Sequence, residues 1–109
     1  MITWPAIIKH DGEDELIYIK DKQQWQQDEE MLLYIFTDRD VLIDATGKVF
    51  SLPELQNNLD SDSYLAIANL ENILELVQNH AQLSNQCCVA KIQTTTIQQA
   101  IELIATFDA

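Results

Sequence analysis

Apolar residues follow two different rhythms along this chain. Up to Leu52 they come in short runs of strand length; from Leu70 onward most of them recur every three to four residues. The first run, Ile2 to Lys9, predicts a strand, and Pro5 within it predicts an edge position or a bulge, because proline cannot donate to a ladder. The polar stretch His10-Asp11-Gly12-Glu13-Asp14 predicts a turn. Beyond it Leu16, Tyr18 and Lys20 alternate with Ile17 and Ile19, which completes a hairpin.

Asp21 to Glu29 is rich in Gln, Lys and Glu and predicts a short helix held by its one large apolar residue, Trp25. Met31 to Phe36 is an apolar run of strand length. Val41–Asp44 and Lys48–Leu52 flank Ala45-Thr46-Gly47, the pattern of a second hairpin. Pro53 ends it and suits the first turn of a helix through Leu55 and Leu59.

In the second half, Leu70, Ile73, Leu74, Val77 and Ala81 fall on one helical face, with Asn69 where an N-cap is wanted. Tyr64 to Ile67, just before, reads equally as a short strand or an added helical turn. Gln86 to Ile92 predicts a strand with apolar side chains on both faces, hence an interior one. Thr95 and Gln98 have capping-box spacing ahead of a last helix with Ile97, Ala100, Ile101, Ile104 and Ala105 as its stripe. The order predicts an α+β fold: a single domain over residues 1–109, with a mixed sheet built from two N-terminal hairpins. A C-terminal strand-helix-strand-helix segment completes it, with the helices on one face.

Charge adds one fact. Eighteen Asp and Glu stand against six Lys and Arg, net −12, and fourteen of the acids fall in residues 1–62, which carry −9. Such a chain repels nucleic acid and anionic lipid, so no direct nucleic-acid or membrane partner is expected. Repulsion among the acids also predicts that mild acidification stabilises the fold, unless local pairs hold the carboxylates ionised. The N-terminus lacks the basic and apolar regions of a signal peptide, and two adjacent cysteines are no disulfide framework, so a cytoplasmic location is expected.

Candidate chemistry is thin. Asp38, Asp40 and Asp44 lack the Gly and Glu of a calcium loop, since Val41, Leu42 and Ile43 occupy its middle; a solvated turn is the simpler reading. Gly47-Lys48 has Leu42 where a phosphate loop needs glycine. His10 and His80 are the two histidines, and a Cys-His pair would use His80 with Cys87 or Cys88, although buried strand thiols are normally inert. No catalytic residue, metal ligand or cofactor site is assigned.

The strings Trp4-Pro5-Ala6-Ile7-Ile8-Lys9, Leu42-Ile43-Asp44 with Gly47, and His80-Ala81 through Cys87-Cys88-Val89-Ala90-Lys91 resemble a small family of bacterial proteins of unknown function. The resemblance covers nearly the whole chain. It implies a compact α+β domain and supplies no activity or ligand.

Three readings of function follow. The first is a non-enzymatic acidic interaction module that meets a basic protein surface through Glu13, Asp14, Glu15, Asp28, Glu29 and Glu30. The second is a small enzyme or ligand binder with a pocket near His80, Cys87 and Cys88. The third is a nucleic-acid mimic that binds a DNA-binding protein, which requires a dense acidic stripe. Oligomeric state is not encoded in any pattern of the sequence.

Overall fold

The computed structural model describes residues 1–29, 33–83 and 94–107. Five strands, β1 (Ala6–Lys9), β2 (Leu16–Ile19), β3 (Val41–Ile43), β4 (Lys48–Ser51) and β5 (Ala66–Ile67), form one sheet in the order β2-β1-β3-β4-β5. The helices described are α1 (Lys22–Gln27), α2 (Leu52–Asn57), α3 (Leu70–Leu83) and α4 (Ile97–Phe107). This is the expected α+β class. Every pairing among the described residues is antiparallel. The mixed sheet had rested on Gln86–Ile92, which lies outside the described residues, as does the crossover built on it.

Both expected hairpins are present, with Ile7 opposite Tyr18 and Leu42 opposite Phe50. The first strand is nevertheless interior, paired with β2 on one side and β3 on the other. Pro5 places no constraint on it, because the ladder starts at Ala6 and the missing N–H falls outside.

Side-chain alternation then decides the layers. Ala6, Ile8, Ile19, Leu42 and Phe50 point to one face, where Trp25 of α1 and Leu52 and Leu55 of α2 cover them. Ile7, Leu16 and Ile43 point to the other, against Ile73, Val77 and Ala81 of α3 and Ala100, Ile101 and Ile104 of α4. The helices therefore occupy both faces, not one. The long pair forms one layer, and the two short helices form the other around Trp25, which is 2% exposed.

The helix starts are set locally. Asp21 accepts the Gln24 N–H at 2.8 Å to open α1. Pro53 sits in the first turn of α2, where its missing N–H has no intrahelical partner to lose. Asn69 and Asn72 bond each other's backbone N–H reciprocally at 3.1 and 2.8 Å, which opens α3 at the expected cap. The cap of α4 falls one residue later than Thr95: Thr96 Oγ1 accepts the Gln99 N–H at 3.1 Å, while Gln99 Oε1 accepts from the Thr95 N–H at 2.9 Å.

Of Tyr64–Ile67, the last two residues form the short strand β5, which pairs Ile67 with Lys48. The Met31–Phe36 run is not a strand over its described part, residues 33–36. Phe36 turns into the core beneath the ring of His10, and Leu33 and Ile35 stay exposed. The buried aromatic settles this segment, not its apolar count.

Candidate functional site

Glu13, Asp14 and Glu15 lie on the β1–β2 turn and are all exposed. The ammonium of Lys9 does not neutralise them: it donates to the carbonyls of Glu13 at 2.7 Å and His10 at 3.4 Å. Asp28 and Glu29 follow α1, where the Asp28 N–H closes the helix on the Trp25 carbonyl. Glu30 lies outside the described residues. The five described acids thus belong to two segments separated by β2 and α1. Among the described residues, Glu13, Asp14, Glu15 and Glu29 make no ion pair with a cation.

Asp40 and Asp44, read from the sequence as parts of a solvated turn, are buried instead. Asp44 Oδ1 accepts from the Thr46 N–H at 2.9 Å, the Thr46 hydroxyl at 2.7 Å and the Lys48 N–H at 3.0 Å. Its Oδ2 accepts from the Thr3 N–H at 3.0 Å. The carboxylate is a buried knot that ties the chain before β1 to the β3–β4 turn.

Asp40 does the same for two other segments. Oδ1 accepts the Asp11 N–H and Oδ2 the Thr37 N–H, each at 2.8 Å, and His10 Nδ1 lies 3.7 Å from Oδ1. Burial pushes its carboxyl up, but the two backbone donors and the nearby imidazole outweigh it and hold the group below the ordinary aspartate range. A depressed carboxyl gives stability that is complete above the unfolded value, about 3.9, and is lost as pH falls through the folded value. Acidification below pH about 5 therefore acts against this fold at Asp40, opposite to the stabilisation expected from bulk repulsion. Denaturant midpoints at pH 3 to 6 should fall less steeply in Asp40→Asn than in the parent chain; equal slopes would remove Asp40 from the linkage.

The histidines are apart in role. His80 is buried on α3, and its Nδ1 accepts the Leu16 N–H at 2.9 Å, which places its ring proton on Nε2 and docks the helix on β2. His10 packs against Tyr34 and Phe36, with ring centroids 5.1 and 5.8 Å away. Cys87 and Cys88 lie outside the described residues, and so does the site that would join them to His80. Among the described residues no cluster of His, Cys, Asp and Glu fits a metal ion. Nor is any helix there long and apolar enough to cross a membrane.

One concave feature has no counterpart in the sequence reading. A cleft of about 240 Å3 opens between the segment before β1 and the loop after α2, lined by Met1, Ile2, Trp4, Lys22, Leu59 and Asp60. Its floor is apolar. At its edge Lys22 Nζ donates to Asp60 Oδ1 at 2.9 Å, and the terminal ammonium of Met1 meets Asp62. Nothing in the spacing of these residues signals the cleft, because folding brings together positions almost sixty apart.

Comparison with known proteins adds the fold's relatives. An NMR structure of a protein from Shewanella amazonensis is similar with a TM-score of 0.71 and 22% identity, over 97% of this chain and 90% of that one. No curated protein matches the chain. The DUF4144 family, described as a protein structure with unknown function, matches residues 4–104, and the chain belongs to that family.

Proposed function

We propose that this domain is a non-enzymatic cytoplasmic interaction module whose acidic surface meets a basic protein partner. The observation that supports it is the exposed, cation-poor turn Glu13-Asp14-Glu15, whose neighbouring Lys9 is spent on main-chain carbonyls. Carboxylates held in ion pairs are already satisfied; those left in water with like charges nearby are where an incoming cation gains most. Exposed acids also stand on α3 at Glu71 and Glu75 and on α4 at Glu102. That spread over several elements favours a protein partner over duplex mimicry, which needs one dense stripe.

Binding of this kind is steered by charge and screened by salt. An arginine-rich peptide should associate with the full chain at 20 mM salt, and its affinity should fall at least about ten-fold by 200 mM. Calorimetric titration at the two ionic strengths checks this. Affinity independent of salt, or no association at 20 mM, would remove the reading.

A further inference from the structure

Asp11 is followed by Gly12, and no other Asp or Asn in the chain precedes a glycine. The pair forms the centre of the β1–β2 turn, which the Glu13 N–H closes on the His10 carbonyl at 3.1 Å. Both residues are exposed, and a Cβ placed on Gly12 would meet nothing within 4 Å. The Asp11 N–H is fixed by Asp40 Oδ1 at 2.8 Å. The Asp11 carboxylate, by contrast, accepts no hydrogen bond and makes no ion pair among the described residues. The Gly12 N–H likewise has no acceptor among them. A free carboxyl and a free main-chain nitrogen thus stand on neighbouring residues, and glycine brings no side chain to keep them apart. The next least hindered pairs, Asp60-Ser61 and Asp62-Ser63, are tied down. Asp60 accepts from Lys22 Nζ at 2.9 Å and Asp62 meets the Met1 ammonium. The Ser61 N–H donates to the Asn58 carbonyl and the Ser63 N–H to Ser61 Oγ, each at 3.2 Å.

We propose that Asp11-Gly12 is a site of spontaneous main-chain modification, where aspartate isomerises to isoaspartate through a succinimide. The Gly12 nitrogen attacks Cγ of the protonated Asp11 carboxyl, an intramolecular step favoured by the proximity of its partners. The N–Cγ bond forms, the Cγ–OH bond breaks, and the hydroxyl leaves as water with the amide proton. Water then adds to the main-chain carbonyl of the ring and breaks its bond to the Gly12 nitrogen. The chain now runs through Cβ and Cγ of residue 11, and the former main-chain carbonyl has become a free carboxylate. One water leaves and one enters, no electrons are exchanged, and net charge is unchanged. The extra methylene lies inside the ring that the Glu13–His10 hydrogen bond closes, so that bond cannot keep its geometry. Glu13, Asp14 and Glu15 follow directly on the altered turn. The modification does not depend on what the acidic surface binds.

The test incubates the full, folded chain for several weeks in mildly acidic buffer made with oxygen-18 water, then digests it with trypsin in ordinary water. Cleavage after Lys9 and Lys20 releases residues 10–20, which hold Asp11, and cleavage after Lys48 and Lys91 releases residues 49–91, which hold Asp60 and Asp62. Peptide 10–20 should gain one heavy oxygen, faster than peptide 49–91, and split into two chromatographic peaks of the same sequence. Asp11→Glu should abolish both effects, because its side chain would have to close a larger and less favourable ring. A peptide 10–20 that stays unlabelled in the folded chain overturns the proposal, whatever the urea-unfolded chain does. Label that persists in Asp11→Glu overturns it as well, since the oxygen would then have entered at Asp14 or another carboxyl.

Discussion

Replacing Gly47 by alanine should cost about 4 kcal/mol or prevent folding, while the same change at Gly12 should cost about 1 kcal/mol. Both glycines have positive φ, +76° at Gly12 and +91° at Gly47, so both substitutions carry the strain of an L-residue in the left-handed region. Their surroundings differ. A Cβ at Gly12 meets nothing within 4 Å. At Gly47 it would stand 2.3 Å from the Ala68 carbonyl oxygen and 3.0 Å from Cδ1 of Ile97. The isoleucine tip can shift, but Ala68 is main chain, and its N–H is bonded to the Gly47 carbonyl at 2.7 Å. Relief must therefore push β5 away from β4 and carry with it the start of α3, whose Ile73, Val77 and Ala81 are packed into one core. Urea midpoints of the two variants, read against the parent chain, measure the difference. Equal losses at the two positions would mean that the turn conformation alone matters and that the β4–β5 approach is loose.

The hairpins, α3 and its Asn69 cap were legible because each is specified by neighbours in sequence: alternation on either side of a turn, or a cap just before an apolar stripe. The distribution of helices between two layers was not, because a short helix such as α1 carries only Trp25 as its apolar mark, and one residue does not say which sheet face it will cover. A usable hint was present in Ala6-Ile7-Ile8. Consecutive apolar residues in a strand imply that both faces are covered, and this contradicts an edge position for β1. The cap of α4 slipped by one because Thr94, Thr95 and Thr96 offer the same hydroxyl in three registers, and packing of Ala100 and Ile101 selects among them. The site fared worst. Asp40 and Asp44 accept from the backbone of Asp11 and Thr3, and Trp4 and Leu59 line one cleft; none of these pairings has a spacing that a linear pattern can show.

Asp44→Ala should destabilise by roughly 3 to 5 kcal/mol, and Asp44→Asn by about half as much. The carboxylate is fully buried and collects three backbone N–H groups and one hydroxyl. Removing it leaves the part-buried N–H groups of Thr3, Thr46 and Lys48 without their acceptor, and each such orphan costs about 1 to 3 kcal/mol. The Thr46 hydroxyl can rotate toward another acceptor, so it contributes least. Asparagine keeps one oxygen and must choose its side. With that oxygen in the Oδ1 position it still accepts from Thr46 and Lys48, but its NH2 then faces the Thr3 N–H, donor against donor. The reversed amide would face three donors and is excluded. The loss in Asp44→Asn is therefore concentrated at Thr3, and hydrogen exchange should show it there: faster exchange at the Thr3 amide with the Thr46 and Lys48 amides still protected. In Asp44→Ala all three should exchange faster. Equal urea midpoints for the two variants would mean that charge, not the count of accepted bonds, holds the knot, and an alanine variant as stable as the parent would show that the turn closes without it.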